Sequence, residues 1–212
     1  VGSSALTANT TGSNNVANGA GALTGNTTGN NNIAFGYIAL TNNTIGNDNI
    51  ASGLYALRFN TTGNNNVANG SSALTSNTTG SSNIVSGTDS LPNSTTGSNN
   101  IAIGFNALFY NNSATNTTAV GFKAGYGVAG TSNQNNSLFG YQAGLGLSTG
   151  SNNLLFGYQA GDAITTGSNN IIIGYDIDAT STSMTGGLNI GNLIFGTGID
   201  GTGTTISSGN IG

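Results

Sequence analysis

Asn26-Thr-Thr-Gly-Asn-Asn-Asn-Ile-Ala-Phe-Gly-Tyr-Ile-Ala-Leu40 runs through a polar turn, a β-branched residue beside alanine, a lone glycine and an Ala-Leu pair. The same order recurs along nearly the whole chain. Gly12, Gly29, Gly46, Gly63, Gly80 and Gly97 stand 17 residues apart, and so do Gly2, Gly19, Gly36, Gly53, Gly70, Gly87, Gly104 and Gly121. A period this short has no room for a helix hairpin, and glycine every seven to ten residues opposes any helix. The period predicts an all-β fold, a parallel β-solenoid in which each repeat is one coil. Counting from Gly2 to Gly191 gives about twelve coils and a rod on the order of 55 Å long at the usual strand spacing.

The regular unit occupies 1–108. Its β-branched position is Val16, Ile33, Ile50, Val67, Ile84 and Ile101, and its leucines include Leu23, Leu40, Leu57, Leu74, Leu91 and Leu108. Two short extended segments per coil are expected, one at Ile-Ala and one at Ala-Leu. The Ile/Val and Leu columns then supply the core. Asn14, Asn31, Asp48, Asn65, Ser82 and Asn99 form a polar column able to hydrogen-bond along the axis. Each coil has only a few apolar side chains to set against the ordering of 17 residues. The Ile-Ala-x alternation also puts apolar groups on both strand faces, so lateral association of identical chains is expected to cover the second face.

Residues 109–191 keep the beat with a changed unit. Thr118-Ala-Val-Gly121 is in step, the next interval, to Ser137-Leu-Phe-Gly140, is 19, and the two extra residues fit the loop from Gly127 to Asn135. Phe139, Phe156, Ile173 and Ile190 replace smaller residues at the third strand position, while Gly125, Gly144 and Gly161 replace leucine. Tyr141, Tyr158 and Tyr175 follow the turn glycine as candidate surface contacts, with core or interchain packing favoured over stacking on sugars. Residues 192–212 read as an exit from the array.

Charged residues are 4% of the 212 and the formal charge is −4, with Arg58 and Lys123 against six aspartates, so no basic patch suits nucleic acid. Cys and His are absent, which removes disulfides and thiolate or imidazole metal sites. No apolar run reaches a membrane span and no signal peptide is evident. The chain opens in mid-unit at Gly2-Ser-Ser-Ala-Leu6, as a processed or excised piece of a longer protein would.

Ser98-Asn-Asn-Ile-Ala-Ile-Gly104 followed by Ala107-Leu108 resembles the head repeats of trimeric autotransporter adhesins. The N-T-T-G-x-N-N form and the closing Ile206-Ser-Ser-Gly-Asn-Ile-Gly212 are similar to repeats of bacterial surface fibres and phage tail fibres. The resemblance implies a left-handed parallel β-roll, three chains side by side, and display or adhesion outside the cell, on a cell surface or a virion. The expected function is a non-enzymatic fibre segment without cofactors. Its partners are further copies of itself and a surface glycan or protein.

Gly125-Tyr-Gly-Val-Ala-Gly130 and Gly196-Thr-Gly-Ile-Asp-Gly201 match G-x-G-x-x-G, a chance product of so much glycine. Asp176 and Asp178, spaced i and i+2, are calcium or glycosidase candidates set against a reading as solvated turn charges. Ten N-x-S/T sequons, at Asn9, Asn26, Asn42, Asn60, Asn69, Asn77, Asn93, Asn111, Asn116 and Asn135, fit turn chemistry better than glycosylation. The column Thr11, Thr28, Thr62, Thr79 and Thr96 suggests ice binding by a monomeric solenoid as an alternative, beside glycan binding.

Overall fold

In the computed structural model, which describes residues 2–192, 194–197 and 210–211, the chain is a parallel β-solenoid. Each coil contributes one three-residue strand: β1 (Val16–Asn18), β2 (Ile33–Phe35), β3 (Ile50–Ser52), β4 (Val67–Asn69), β5 (Ile84–Ser86), β6 (Ile101–Ile103), β7 (Thr118–Val120), β8 (Ser137–Phe139), β9 (Leu154–Phe156), β10 (Ile171–Ile173) and β11 (Leu188–Ile190). Each pairs in parallel with the next, and the register sets equivalent residues over one another, as Val16 over Ile33 and Ala17 over Ala34. The 19-residue step is absorbed before β8, where Thr118 still pairs with Ser137.

These eleven strands bound about ten turns, fewer than the glycine count predicts. Gly2 lies ahead of the first strand, and after Gly191 the direction reverses: β12 (Ile194–Thr197) runs antiparallel to β11 and β13 (Asn210–Ile211) antiparallel to β12. The parallel stack is therefore about 48 Å long. Most of the closing Ile206–Gly212 segment and the end of the Gly196–Gly201 motif lie outside the described residues.

The Ala-Leu segment is not a second strand. Leu23, Leu40, Leu57, Leu74, Leu91 and Leu108 all have φ between 46° and 53°, a left-handed conformation that a leucine adopts only under constraint. The constraint is the stack. The Leu40 amide donates to the Ala56 carbonyl of the next coil at 3.0 Å, and the Leu40 carbonyl accepts from the Asn43 amide at 3.3 Å. Turned this way, each leucine is fully buried.

The core prediction for Val16, Ile33, Ile50, Val67, Ile84 and Ile101 is overturned. Val16, Ile50 and Ile84 are exposed, Ile84 by 47%, and Ile33, Val67 and Ile101 are half-buried. In a three-residue strand only the central side chain faces inward, so Ala17, Ala34, Ala51, Ala68, Val85 and Ala102 line the interior. They pack with a second alanine column, Ala22, Ala39, Ala56 and Ala73, and with the leucines.

Two asparagine columns fill the rest of the interior. In the first, Asn32 Nδ2 donates to Asn15 Oδ1 (3.2 Å) and to the Gly46 carbonyl (2.8 Å), while Asn32 Oδ1 accepts from the backbone and side-chain nitrogens of Asn49. In the second, Asn26, Asn43, Asn60 and Asn77 each donate to the amide oxygen one coil back and to a glycine carbonyl of their own turn. The polar column expected from Asn14 also forms, with Asn14 donating to Asn31 (3.1 Å) and Asn31 to Asp48 (3.0 Å), but it is exposed. The turn glycines permit this close stacking. A Cβ on Gly46 would stand 2.5 Å from the Gly63 carbonyl oxygen.

In the later coils the interior volume is redistributed. Strand centres become Leu138, Leu155 and Ile172, and Leu147 and Ile164 take the second asparagine column. The left-handed leucine becomes Gly125, Gly144 and Gly161, at φ 59° to 63°. A Cβ on Gly144 would meet Leu147 Cδ1 at 2.8 Å and Leu155 Cδ1 at 3.0 Å. The bulk lost from the leucine column thus reappears at the strand centres. Phe139 and Phe156, the replacements singled out from sequence, point outward instead.

Candidate functional site

Two surface features arise from this geometry. The first is the outward face of the strands, which carries the first and third residues of each. No charged residue occupies either position from β1 to β11. Val16, Phe35, Ile50, Ile84, Ile103 and Phe156 are exposed on it, so an apolar stripe runs the length of the stack. Bulk alternates across the stripe at several levels. Ile50 is followed by Ser52 and Ile84 by Ser86, whereas Ser137 is followed by Phe139.

The second feature lies just past the turn glycine. Phe105, Phe122, Tyr141, Tyr158 and Tyr175 stack one per coil, with ring centroids 5.6, 5.1, 5.1 and 4.8 Å apart and ring planes within 14° of parallel. All five are exposed, Tyr175 by 74%. Desolvation within the stack, then the charges of Tyr175, Tyr141 and Asp176, push the Tyr158 hydroxyl above the usual phenol range, so it stays protonated. The neighbouring residues Asn106, Lys123, Gln142, Gln159 and Asp176 all hold left-handed backbone. Among them, Gln159 Nε2 donates to Gln142 Oε1 at 3.0 Å.

Both cations rest on aromatic rings. Arg58 lies 5.1 Å from the Tyr55 centroid and 4.7 Å from that of Phe59, and Lys123 lies 5.5 Å from Phe122 and 5.1 Å from Tyr126. Phe109, Tyr110 and Tyr126 form a separate aromatic cluster, which Lys123 reaches through Tyr126. Partial burial and a hydrogen bond with Tyr110 raise the Tyr126 hydroxyl.

The calcium candidates do not converge on a ligand set. Asp178 turns toward Asp162 of the preceding coil and accepts the Ala163 amide at 3.1 Å, while the Asp176 amide donates to the Tyr158 carbonyl at 2.7 Å. Desolvation and the facing Asp178 carboxylate push Asp162 up to about 6. Among the described residues no group of three or more acidic, His or Cys side chains is arranged to hold a metal ion.

The remaining candidates are also placed. Gly125–Gly130 runs between two turns and opens no helix. Of the sequons, Asn26, Asn60, Asn77 and Asn111 are buried, whereas Asn42, Asn69, Asn116 and Asn135 are exposed. The column Thr11, Thr28, Thr62, Thr79 and Thr96 is a single file interrupted by Ile45. The adjacent Thr27, Thr44, Thr61 and Thr78 hydroxyls are spent on carbonyls of the next coil at 2.9 to 3.0 Å.

Sequence reasoning named Tyr141, Tyr158 and Tyr175 but missed Phe105, Phe122, Gln142 and Gln159. The repeated F-G-Y-Q-A-G of 139–144 and 156–161 was the available signal. Among the described residues no cavity is present and no helix is long and apolar enough to cross a membrane. No family model, curated protein or solved structure matches the chain.

Proposed function

We propose that this solenoid is a non-enzymatic structural segment of an extracellular surface fibre, in which three copies lie side by side and present an attachment surface. The observation that carries the reading is the charge-free apolar stripe on the outward strand face. A stripe of that length is costly to leave in water, and interface centres are depleted of charge. Further copies of the chain suit it, because parallel copies in axial register bring the large and small positions of one level together, Ile50 with Ser52 and Phe139 with Ser137. The stripe also compensates for a core made largely of alanine.

The test is the mass of the soluble protein at micromolar concentration, by sedimentation or light scattering. Three chains per particle are expected. The double substitution Ile50→Lys, Ile84→Lys should release single chains while leaving the β spectrum intact. A wild-type particle of one chain overturns the trimer.

A further inference from the structure

The aromatic stack offers a ligand something different from the strand stripe. Inside the stack each ring faces the rings of the coils before and after it, so from Phe122 to Tyr158 the strip presents ring edges and tyrosine hydroxyls more than open ring faces. An aromatic edge is the positive end of the ring quadrupole. A column of edges therefore repels a second such column and attracts oxygen lone pairs.

Gln142 and Gln159 extend the same preference. Their mutual hydrogen bond uses one donor and one acceptor, and each carboxamide, on the residue that follows Tyr141 or Tyr158, keeps further hydrogen-bonding capacity. The strip spans about 20 Å and repeats at every coil, roughly 5 Å. With no cavity among the described residues, a ligand would gain affinity by length, through contacts made at successive coils.

We propose that the strip from Phe105 to Tyr175, with Gln142 and Gln159, binds a single extended, neutral, β-linked polysaccharide chain lying along the solenoid axis. Sugar hydroxyls pair with the tyrosine hydroxyls and carboxamides, and ring oxygens lie against the aromatic edges. Such a chain advances by close to one coil height per sugar, so the contacts repeat in register. The proposal rests on the attachment role inferred above, but it does not require three copies.

The experiment is a binding isotherm of the full chain on microcrystalline cellulose and on chitin, with amylose and phosphatidylserine vesicles as comparisons, and with particle mass recorded in parallel. Retention on at least one of the two β-linked polymers is expected. Gln142→Leu with Gln159→Leu, and separately Tyr141→Ser with Tyr158→Ser, should each weaken it about tenfold, the scale of one or two lost hydrogen bonds. Tyr37→Ser, outside the stack, should leave it unchanged. The glutamine pair keeps the rings and so tests the strip even where the tyrosine pair fails to fold. Binding by a wild-type single chain supports the strip while refuting the trimer. No retention on either β-linked polymer, equal retention of the glutamine variant, or retention only on amylose or vesicles overturns the proposal.

Discussion

The side chain of Asn66 stands between two coils and is saturated by them: its Nδ2 donates to Asn49 Oδ1 at 3.1 Å and to the Gly80 carbonyl at 2.9 Å, and its Oδ1 accepts from both nitrogens of Asn83. Four bonds to a fully buried amide leave no tolerance for a change of donor count. Asn66→Asp removes both donors and places an acceptor-only carboxylate against Asn49 Oδ1 and the Gly80 carbonyl. A loss of about 3 kcal/mol or more is expected in urea unfolding. A substitution at the neighbouring exposed Asn65, such as Asn65→Ser, the residue the same column carries at Ser82, should change stability by under about 0.5 kcal/mol.

The second asparagine column breaks where Ser94 succeeds Asn77. The shorter side chain does not reach back, and both Asn77 Oδ1 and Ser94 Oγ lack partners. Ser94→Asn supplies a carboxamide at a position whose counterparts bond to the coil before. It should raise stability by about 1 kcal/mol, read as a higher urea midpoint with an unchanged slope.

Gly144 and Leu155 share one volume. Gly144→Ala brings a Cβ into van der Waals conflict with Leu147 and Leu155 at φ 63° and should cost about 1 to 3 kcal/mol. Leu155→Ala alone opens a cavity and should cost about 2 to 5 kcal/mol. The double variant should lose less than the two separately, because each change relieves the other's fault. Strict additivity in a double-mutant cycle would show that the leucine-to-glycine exchange in the later coils is not a volume trade.

The period, the parallel stacking and the buried leucines were legible because a column repeats one residue type every 17 positions. Direction was not. Ile33-Ala34-Phe35 alternates equally well with either face inward, and hydrophobicity alone favours burying isoleucine. The narrow coil interior, already holding Leu40 and two amides, takes a small side chain there, alanine at Ala17, Ala34, Ala51, Ala68 and Ala102 and valine at Val85. Nor does sequence tell Asn14 from Asn15, identical neighbours of which the second is carried into the buried ladder that continues through Asn32. The left-handed leucine contradicts local preference, so a strand was expected. The exchange of Ala-Leu for Ala-Gly at Gly125, Gly144 and Gly161 was the clue to its φ. The aromatic stack joins five coils, and its partners beyond tyrosine were hidden in a run where phenylalanine precedes the F-G-Y-Q-A-G pattern.

The Asp162–Asp178 pair makes the last coils sensitive to pH. Asp162 titrates at about 6 in the folded chain, above the ordinary value of 3.8, so the folded state binds the proton more tightly than the unfolded one. The resulting stabilisation is complete below about pH 3.8 and is lost as pH rises through about 6. Amides that close these coils, Ala163 to Asp178 Oδ1 and Asp176 to the Tyr158 carbonyl, should therefore exchange more slowly at pH 4.5 than at pH 7.5 once the intrinsic exchange rate is divided out. Asp162→Asn removes the repulsion at every pH. It should flatten the dependence and protect these amides better than wild type at pH 7.5. A profile that stays steep in Asp162→Asn would place the sensitivity on another group.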